Sequence, residues 1–433
     1  MRRVAAVMWL SVLALCWVPA VHAQLGSLSR QRGLHMLNSV RHDLRDHYFD
    51  STYRGVNMDS VFDATEQYIR STAASLGDVF GSIAVSLLPL HDSHLFFVPP
   101  TRASRVEYGL DFAAFGDSCF ITSVEPWSDA ARQGLTRGDP VLMIDGLEPN
   151  RDNLWWIWYV LGVLDPRPVL HLRIRHGDTT ADLTVQARIG PPRAIQDLTG
   201  RDGGLGIHDY IVGIENRDQE LHDAFAVVDS VGILRLRHFA WETDDIDRRM
   251  RDVHDLKGLI LDLRGNPGGA VRGLLHTVGL LFGDSIHVAT VVSRTGSDVA
   301  WAEPDEHPFA GSIVVLIDAE SASAAEILAR VVQLEHRGTV IGDRSSGAVM
   351  TSQFHVHEMG ASRVVVYGLS VTVSDVIMSD GHRLEWEGVT PDYIVIPTSD
   401  DLKSRRDPAL ARALATLGVR ATPTQAGRLL PIR

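Results

Sequence analysis

The stretch SIVVLIDAESASAAEILARVVQLEHRGTVIGD, residues 312–343, contains a complete strand–helix–strand unit. It opens with a run of apolar, mostly β-branched residues and passes through a turn of small residues. It then carries apolar residues at helical spacing before a second short apolar run. Apolar runs that alternate with amphipathic helices are typical of an α/β domain with a largely parallel sheet. The stretch therefore predicts such a domain in the C-terminal half of the chain.

The same alternation continues on the N-terminal side of this unit. The runs VGILRLRHF and GLILDLRG predict strands, and VRGLLHTVGLLFG predicts a helix. Between the second strand and this helix lies the Gly-rich loop GNPGG. Such a loop can offer backbone N–H groups to an oxyanion, or it can be a plain tight turn. A phosphate-binding loop is disfavoured, because the G-x-G-x-x-G and G-x-x-x-x-G-K spacings are absent.

Two serines in the turn AESAS, Ser321 and Ser323, precede the predicted helix of the opening stretch. A serine at this place most often caps the helix N-terminus. The free N–H groups of a helix N-terminus also favour developing negative charge. Either serine is therefore a candidate nucleophile as well as a candidate cap.

Composition narrows the class of protein. The chain has 433 residues, which allows two or three domains, and its apolar and charged fractions are those of a folded protein. The net charge of −13 argues against nucleic acid as a partner. Lys257 and Lys403 are the two lysines.

Residues 1–23 have the pattern of a secretory signal peptide. Two arginines precede an apolar run that is short for a membrane span, and the small-residue segment VHA ends the pattern before Gln24. We therefore expect an exported protein, periplasmic or secreted, without a stable membrane span. After removal of this segment, Cys119 is the remaining cysteine, which excludes an intramolecular disulfide and a cysteine metal cluster.

The motifs in combination resemble the tail-specific, or C-terminal processing, serine protease family. The resemblance lies in DLRGNPGG, in SASAAE about fifty residues later, and in GVTPD at residues 388–392. It implies a mixed α/β fold class with a crotonase-like α/β catalytic domain, and it places the nucleophile on Ser323. It also implies an oxyanion hole formed by the backbone N–H groups of Gly269 and Ala324.

The general base departs from the Ser-Lys members of this family. Those members carry a Gly-Lys pair about twenty-five residues after the serine, whereas here Gly347 is followed by Ala348. The segment LHDSHLFF instead resembles the histidine-dependent branch that includes the tricorn protease core. That resemblance implies His94 as the base, with Ser93 and Glu385 orienting it. A neutral imidazole is suited to accept the serine proton and to return it to the leaving amine.

Several alternatives stay open at this point. Glu387 competes with Glu385 as the orienting carboxylate. The pairs His91 with His94 and His355 with His357 have spacings that could bind a metal ion, but each lacks a convincing third ligand nearby in the chain. We accordingly expect no metal and no cofactor.

The segment preceding the catalytic domain resembles a PDZ domain. The resemblance is carried by GLDF and by ITSVEPWSDAARQGLTRGDPVLMIDG. It implies that Tyr108, Gly109, Leu110 and Asp111 hold a peptide C-terminus, with the peptide added as a strand. The alternative is a PDZ fold kept only as a lid that gates the site.

The predicted organisation has six parts. They are the signal peptide (1–23), an N-terminal helical region ending in the His-bearing loop (24–100), a β-rich PDZ-like domain (101–190), a linker (191–222), the catalytic domain (223–400) and a C-terminal helical tail (401–433). We expect a serine endopeptidase that acts on protein or peptide substrates. The alternative is a catalytically inactive peptide- or ligand-binding protein on the same fold, and the oligomeric state is left open.

Overall fold

A computed structural model describes residues 26–102, 104–177, 179–190, 224–360 and 364–430. The predicted signal peptide and the predicted linker lie outside the described residues. Four hydrophobic clusters organise the described part of the chain.

The N-terminal region is helical, as predicted, and it ends in a short strand. Its elements are α1 (Ser27–His47), α2 (Met58–Ser71), α3 (Leu76–Leu87) and β1 (Phe96–Val98), with 3-10 turns at Tyr53–Gly55 and Leu88–Leu90. A reciprocal pair of hydrogen bonds between Ser75 and Asp78 caps the start of α3. The buried faces of the three helices share one core with Phe97 of β1. This packing fixes the position of residues 91–95, which contain His94.

The β-rich region that follows contains an antiparallel sheet of five consecutive strands. Its elements are β2 (Arg105–Glu107), β3 (Leu110–Phe115), β4 (Ser118–Val124), α4 (Asp129–Arg132), β5 (Pro140–Ile144), α5 (Leu154–Tyr159) with a π turn at Val160–Leu164, β6 (Val169–His176), β7 (Thr179–Gln186) and β8 (Arg188–Gly190). The order β3-β4-β5-β6-β7 leaves β3 at one edge of the sheet, and β2 pairs with β8 separately.

The Trp-rich helix α5 joins two of the cores. Trp158 stacks on Phe112 of β3 with ring centroids 5.1 Å apart. Trp156 and Tyr159 pack instead against the core of the N-terminal helices. The aromatic side chains of α5 therefore form a contact between the two regions, although Trp155 itself is exposed.

The largest sheet has the predicted α/β pattern. Its strands are β9 (Ala224–Val228), β10 (Val231–Arg235), β11 (Gly258–Asp262), β14 (Ser312–Ile317), β15 (Gly338–Gly342) and β18 (Tyr393–Ile394), and the intervening helices are α6 (Asp244–Val253), α7 (Val271–Gly279) and α8 (Ala324–Leu334). The order is β18-β15-β14-β11-β10-β9. Every pair is parallel except β9 with β10.

Both faces of this sheet are covered. On β11, Leu259 and Leu261 enter the core with α6, α7 and α8, whereas Ile260 enters the core on the opposite face. That opposite face packs against α10 (Pro408–Thr416), which lies between α9 (Ser399–Lys403) and α11 (Pro423–Leu429). Because both faces of the sheet are buried, the sequences of its strands are continuous apolar runs.

A second, antiparallel sheet was not anticipated from the sequence. It consists of β1, β12 (Ile286–Ser293), β13 (Gly296–Ala302), β16 (Met350–Met359) and β17 (Val365–Met378). The long strand β17 pairs with β1, β12 and β16. Through β1, this sheet connects the N-terminal helices to the predicted catalytic domain.

Among the described residues, no helix is both long enough and apolar enough to cross a membrane.

Candidate active site

Ser323 lies at the turn from β14 into α8 with an unfavourable backbone conformation. Its φ is 53° and its ψ is −118°, a region that residues with a side chain rarely adopt. Such a conformation costs on the order of 1–3 kcal/mol and persists where neighbouring contacts enforce it. Here the Ser323 N–H donates to the carbonyl of Ala348 at 2.8 Å and to Oε2 of Glu326 at 3.0 Å. The structure therefore holds a half-buried serine in a strained position at a helix N-terminus.

The neighbouring Ser321 is committed to structural hydrogen bonds. It is fully buried, and its hydroxyl donates to the carbonyl of Leu263 at 2.9 Å. The same oxygen accepts the N–H of Asp318 at 2.9 Å. Ser321 thus joins the ends of β11 and β14, which distinguishes it from Ser323 as a candidate nucleophile.

The Gly-rich loop after β11 lies against Ser323. A Cβ on Gly268 would come within 2.6 Å of the Ser323 Cβ and 3.0 Å of the Ala324 nitrogen, and the φ of Gly268 is 106°. Gly269, at φ 135°, is equally closed to larger residues, because a Cβ there would approach the Phe239 carbonyl to 2.3 Å. Only glycine combines this backbone with such close approach. The two backbone segments predicted to form an oxyanion hole, around Gly269 and Ala324, are therefore adjacent.

A buried carboxylate, Glu326, organises the segment opposite Ser323. Besides the Ser323 N–H, it accepts the Ser345 hydroxyl at 2.6 Å and the N–H groups of Gly347 and Ala348 at 2.7 and 2.9 Å. Burial raises its pKa to about 7, while these hydrogen bonds oppose the rise. The Ser-Lys members carry lysine at the position of Ala348. Here Ala348 contributes only its backbone N–H and carbonyl groups to these contacts. Sequence reasoning missed Glu326, although the Ser-x-x-Glu spacing of a capping box marks it.

His94, Ser93 and Glu385 form one hydrogen-bonded line. The Ser93 hydroxyl donates to Oε2 of Glu385 at 2.8 Å, and its oxygen lies 2.8 Å from Nδ1 of His94. Since the hydroxyl hydrogen is used on Glu385, the Ser93 oxygen accepts a hydrogen from Nδ1 of His94. The neutral imidazole therefore carries its proton on Nδ1, and its Nε2 keeps the lone pair that a general base needs. The Ser93 N–H also donates to Oε1 of Glu385, at 2.9 Å.

The pKa values in this line shift in ways that suit the arrangement. Burial lowers the pKa of His94, and the nearby Asp92 carboxylate partly opposes this. Burial raises the pKa of Glu385 to about 7, against the lowering by the hydrogen bonds from Ser93 and Val349. Glu387, by contrast, has an exposed side chain. The geometry thus joins Glu385, and not Glu387, to Ser93.

The loop that carries His94 is anchored by Asp92. Its Oδ1 accepts the His94 N–H at 3.0 Å and the Thr372 hydroxyl at 2.6 Å, and its Oδ2 accepts the Tyr48 hydroxyl at 3.1 Å. Asp92 thus closes a tight turn. Tyr48 directly follows α1 and Thr372 lies on β17, and sequence reasoning connected neither of them to this loop.

Residues 347–349 join the serine and histidine halves of the site. The Ala348 carbonyl accepts the Ser323 N–H at 2.8 Å, and the next residue, Val349, donates its N–H to Oε2 of Glu385 at 2.8 Å. The Trp386 N–H donates to the carbonyl of Gly347 at 2.6 Å. The peptide group between Ala348 and Val349 consequently binds Ser323 through its carbonyl and Glu385 through its N–H.

Both lysines lie outside the hydrogen-bond network of Ser323, His94 and Glu385. The Lys403 ammonium pairs with Asp139 at 3.1 Å, a contact between α9 and the β-rich region. Lys257 directly precedes β11, at the end of that strand opposite the Gly-rich loop. His91 is exposed, and its ring packs edge-on against Trp386.

The predicted peptide-binding residues lie where β3 begins. Gly109 has a φ of 66°, and its carbonyl accepts the Glu125 N–H at 2.8 Å. The buried Tyr108 donates its hydroxyl to the carbonyl of Arg167 at 2.9 Å. Leu110 and Asp111 pair with Val124 and Ser123 of β4. Since β3 is the first strand in the order of its sheet, it pairs with β4 on one side and is an edge strand.

Comparison with known proteins finds a family match within the C-terminal half. Residues 230–395 match peptidase family S41. The carboxyl-terminal-processing protease of Synechocystis is 30% identical over 171 residues, covering 38% of each chain. The chloroplastic carboxyl-terminal-processing peptidase 1 of Arabidopsis thaliana is 27% identical, covering 63% of this chain and 51% of the relative. The chain thus spans about half or less of the length of these curated relatives.

Solved structures share the fold over most of the chain. Mature CPAF complexed with lactacystin aligns with a TM-score of 0.64 at 15% identity, covering 87% of this chain and 96% of that chain. The photosystem II D1 C-terminal processing protease aligns with a TM-score of 0.51 at 17% identity, covering 84% and 93%. These alignments confirm the predicted mixed α/β fold class.

Proposed function

Because this chain carries a peptidase family S41 domain at residues 230–395, we propose that it is a serine endopeptidase with Ser323 as nucleophile and His94 as general base. The observation that carries this proposal is the line from His94 through Ser93 to Glu385, which residues 347–349 tie to Ser323. The curated relatives are named as processing proteases, which favours the peptidase over an inactive binding protein.

In the proposed reaction, Oγ of Ser323 attacks the carbonyl carbon of the scissile peptide bond while its proton passes to Nε2 of His94. The carbonyl oxygen becomes an oxyanion, which the N–H groups of Gly269 and Ala324 stabilise. His94 then returns the proton to the leaving amine as the C–N bond breaks, which leaves an acyl-enzyme. Water, deprotonated by His94, hydrolyses this ester and restores Ser323.

Ser93 and Glu385 act as positioning residues in this scheme. They fix the tautomer of His94, and the Glu385 carboxylate stabilises the imidazolium that forms in the transition state, with Ser93 between the two charges. Asp92, held by Tyr48 and Thr372, fixes the backbone of the same loop.

Replacement of Glu385 by glutamine should lower kcat about 100-fold with little change in KM, because the shape is kept and the stabilising charge is removed. The matched control is Glu387→Gln, which alters an exposed carboxylate in the same segment and should change kcat less than about twofold. Steady-state hydrolysis of a fluorogenic peptide by the three proteins gives both constants. The reverse ranking of the two variants would assign the orienting role to Glu387.

The pH dependence of kcat/KM should contain a contribution from Glu385. Both oxygens of this carboxylate accept hydrogen bonds in the network, and its negative charge stabilises the His94 imidazolium in the proposed mechanism, so with a pKa of about 7 its protonation should lower activity as the pH falls through that value. In Glu385→Gln that ionisation is absent. The remaining fall should then follow His94, whose pKa burial holds below its ordinary value of 6.5. Equal midpoints in the two profiles, measured at constant ionic strength, would contradict this assignment.

The β-rich region and the relatives together support protein C-termini as the proposed substrate class. An unstructured protein C-terminus that adds to β3 as a strand would place its carboxylate near Tyr108, Gly109, Leu110 and Asp111. Asp343, at the end of β15, links this region to the larger sheet, since it accepts from the Gly116 N–H and from Arg151, both at 2.7 Å. Together with the pattern of residues 1–23, this supports a processing peptidase that acts on exported proteins, in the periplasm or outside the cell.

A further inference from the structure

A cluster of three metal-ligating side chains lies outside the proposed catalytic residues. Asp43 and His47 are one helical turn apart near the end of α1, and His355 lies on β16. One ligand atom from each of the three lies within 4.8 Å of the others. The sequence analysis expects no metal here, because the His355 and His357 pair has no third ligand nearby in the chain. In the structure, Asp43 and His47 of α1 supply two further possible metal ligands.

Each of the three side chains has a ligand atom available. Nδ1 of His47 lies 3.1 Å from the carbonyl oxygen of Asp43, to which it donates, so the Nε2 lone pair of the neutral ring is free. Nε2 of His355 is buried and has no hydrogen-bond partner among the described residues. A buried polar atom without a partner is costly, which makes this nitrogen the strongest sign that a ligand belongs here.

Asp43 completes the set with an oriented carboxylate. It is buried, with 3% of its surface exposed, and its Oδ2 lies 2.6 Å from Nε2 of His357. The ring of His357 stacks in turn on Tyr367, with centroids 5.4 Å apart. A ligand held by a second side chain in this way is the usual arrangement around protein-bound transition metals.

The two histidine rings lie side by side although they come from different elements. The rings of His47 on α1 and His355 on β16 have centroids 4.0 Å apart and planes 30° apart. Packing of α1 on β16 therefore brings two imidazoles, the commonest metal ligands in proteins, to one place.

We propose that Asp43, His47 and His355 bind one divalent transition-metal ion of the Zn²⁺ class, with His357 orienting the carboxylate. Two imidazoles and one carboxylate suit Zn²⁺, which takes three protein ligands where a fourth position is left to water. Ligand atoms about 2.1 Å from a tetrahedral zinc lie roughly 3.4 Å apart. Ligand atoms that lie at most 4.8 Å apart would therefore need to approach each other by about 1.4 Å or less, which side-chain rotations can supply. The ion would join the C-terminal end of α1 to β16.

Zinc binding by tag-free protein that has been stripped with a chelator provides the test. Titration with ZnCl₂ in competition with a chromogenic chelator should give one Zn²⁺ per chain. His47→Ala and His355→Ala should each weaken the affinity at least tenfold. His47 is exposed on a helix, where alanine is well tolerated, so its variant should stay folded. Zn²⁺ should also raise the unfolding temperature of the wild type but not that of the two variants.

The matched control is His382→Ala. His382 is an exposed histidine paired with a single carboxylate, Asp380, at 3.0 Å, and this variant should bind Zn²⁺ like the wild type. The proposal is overturned if the wild type binds no Zn²⁺, if binding survives in both cluster variants, or if His382→Ala weakens it equally. None of these readouts depends on peptidase activity, so this proposal and the proposed function can fail separately.

Discussion

Alanine in place of Ser323 is expected to abolish peptide hydrolysis and to leave the fold intact. The substitution removes only the hydroxyl, whereas the backbone hydrogen bonds that hold the strained residue, to Ala348 and Glu326, remain. Alanine meets the same backbone strain as serine at φ 53°, so stability should change little. Loss of a catalytic nucleophile typically lowers kcat by about 10⁶-fold, which is below detection in most peptide assays.

Ser321→Ala is the matched control for this prediction. It removes a buried hydroxyl that bonds Leu263 and Asp318, so it should cost about 1–3 kcal/mol of stability. Its turnover, measured below its unfolding temperature, should stay near that of the wild type. Turnover of a fluorogenic peptide and thermal unfolding by circular dichroism separate the two effects. Activity retained in Ser323→Ala and lost in Ser321→Ala would move the nucleophile to Ser321.

Removal of the His94 imidazole should be nearly as damaging as removal of the Ser323 hydroxyl. In the proposed mechanism Nε2 of His94 accepts the serine proton, and Ala348 stands where the lysine of Ser-Lys members would be. The two residues act as one unit in that mechanism, so the double variant should be no slower than either single one. Single and double variants compared in one assay give this coupling directly.

The matched control for the histidine is His91→Ala. His91 is exposed, lies three residues earlier in the same loop, and contacts Trp386 through its ring. This variant should keep activity within a few-fold of the wild type. A His94→Ala variant that still hydrolyses peptides at the wild-type rate would contradict the assignment of the base. A wild-type protein that gains activity only at strongly alkaline pH would contradict it as well.

The predictable parts of the fold are those governed by local pattern. The segment AAEILARVVQLEH predicts a helix that the structure places at Ala324–Leu334, and the run SIVVLID predicts a strand found at Ser312–Ile317. Apolar runs buried on both faces and Gly-rich turns are local signals, so the α/β alternation is visible in the sequence. The resemblance to C-terminal processing proteases is likewise confirmed by the match to peptidase family S41.

The missed parts depend on contacts between residues far apart in the chain. In β16 half-buried and exposed positions follow one another without the continuous apolar run of the parallel strands, so this strand of the antiparallel sheet gave little local signal. The anchoring of Asp92 by Tyr48 and Thr372 joins three separate elements. The cluster of Asp43, His47 and His355 likewise exists only once α1 packs on β16. The spacing of residues along the chain does not predict contacts between elements that are far apart in sequence.

Covalent labelling with a fluorophosphonate reagent tests most directly whether His94 activates Ser323. After digestion, mass spectrometry of the labelled wild-type protein should place one adduct on Ser323. The Ser323→Ala protein should take up none, and the His94→Ala protein should react at least 100-fold more slowly. Absence of labelling in the folded wild type, an adduct on another residue, or equal rates with and without His94 would contradict the proposed mechanism.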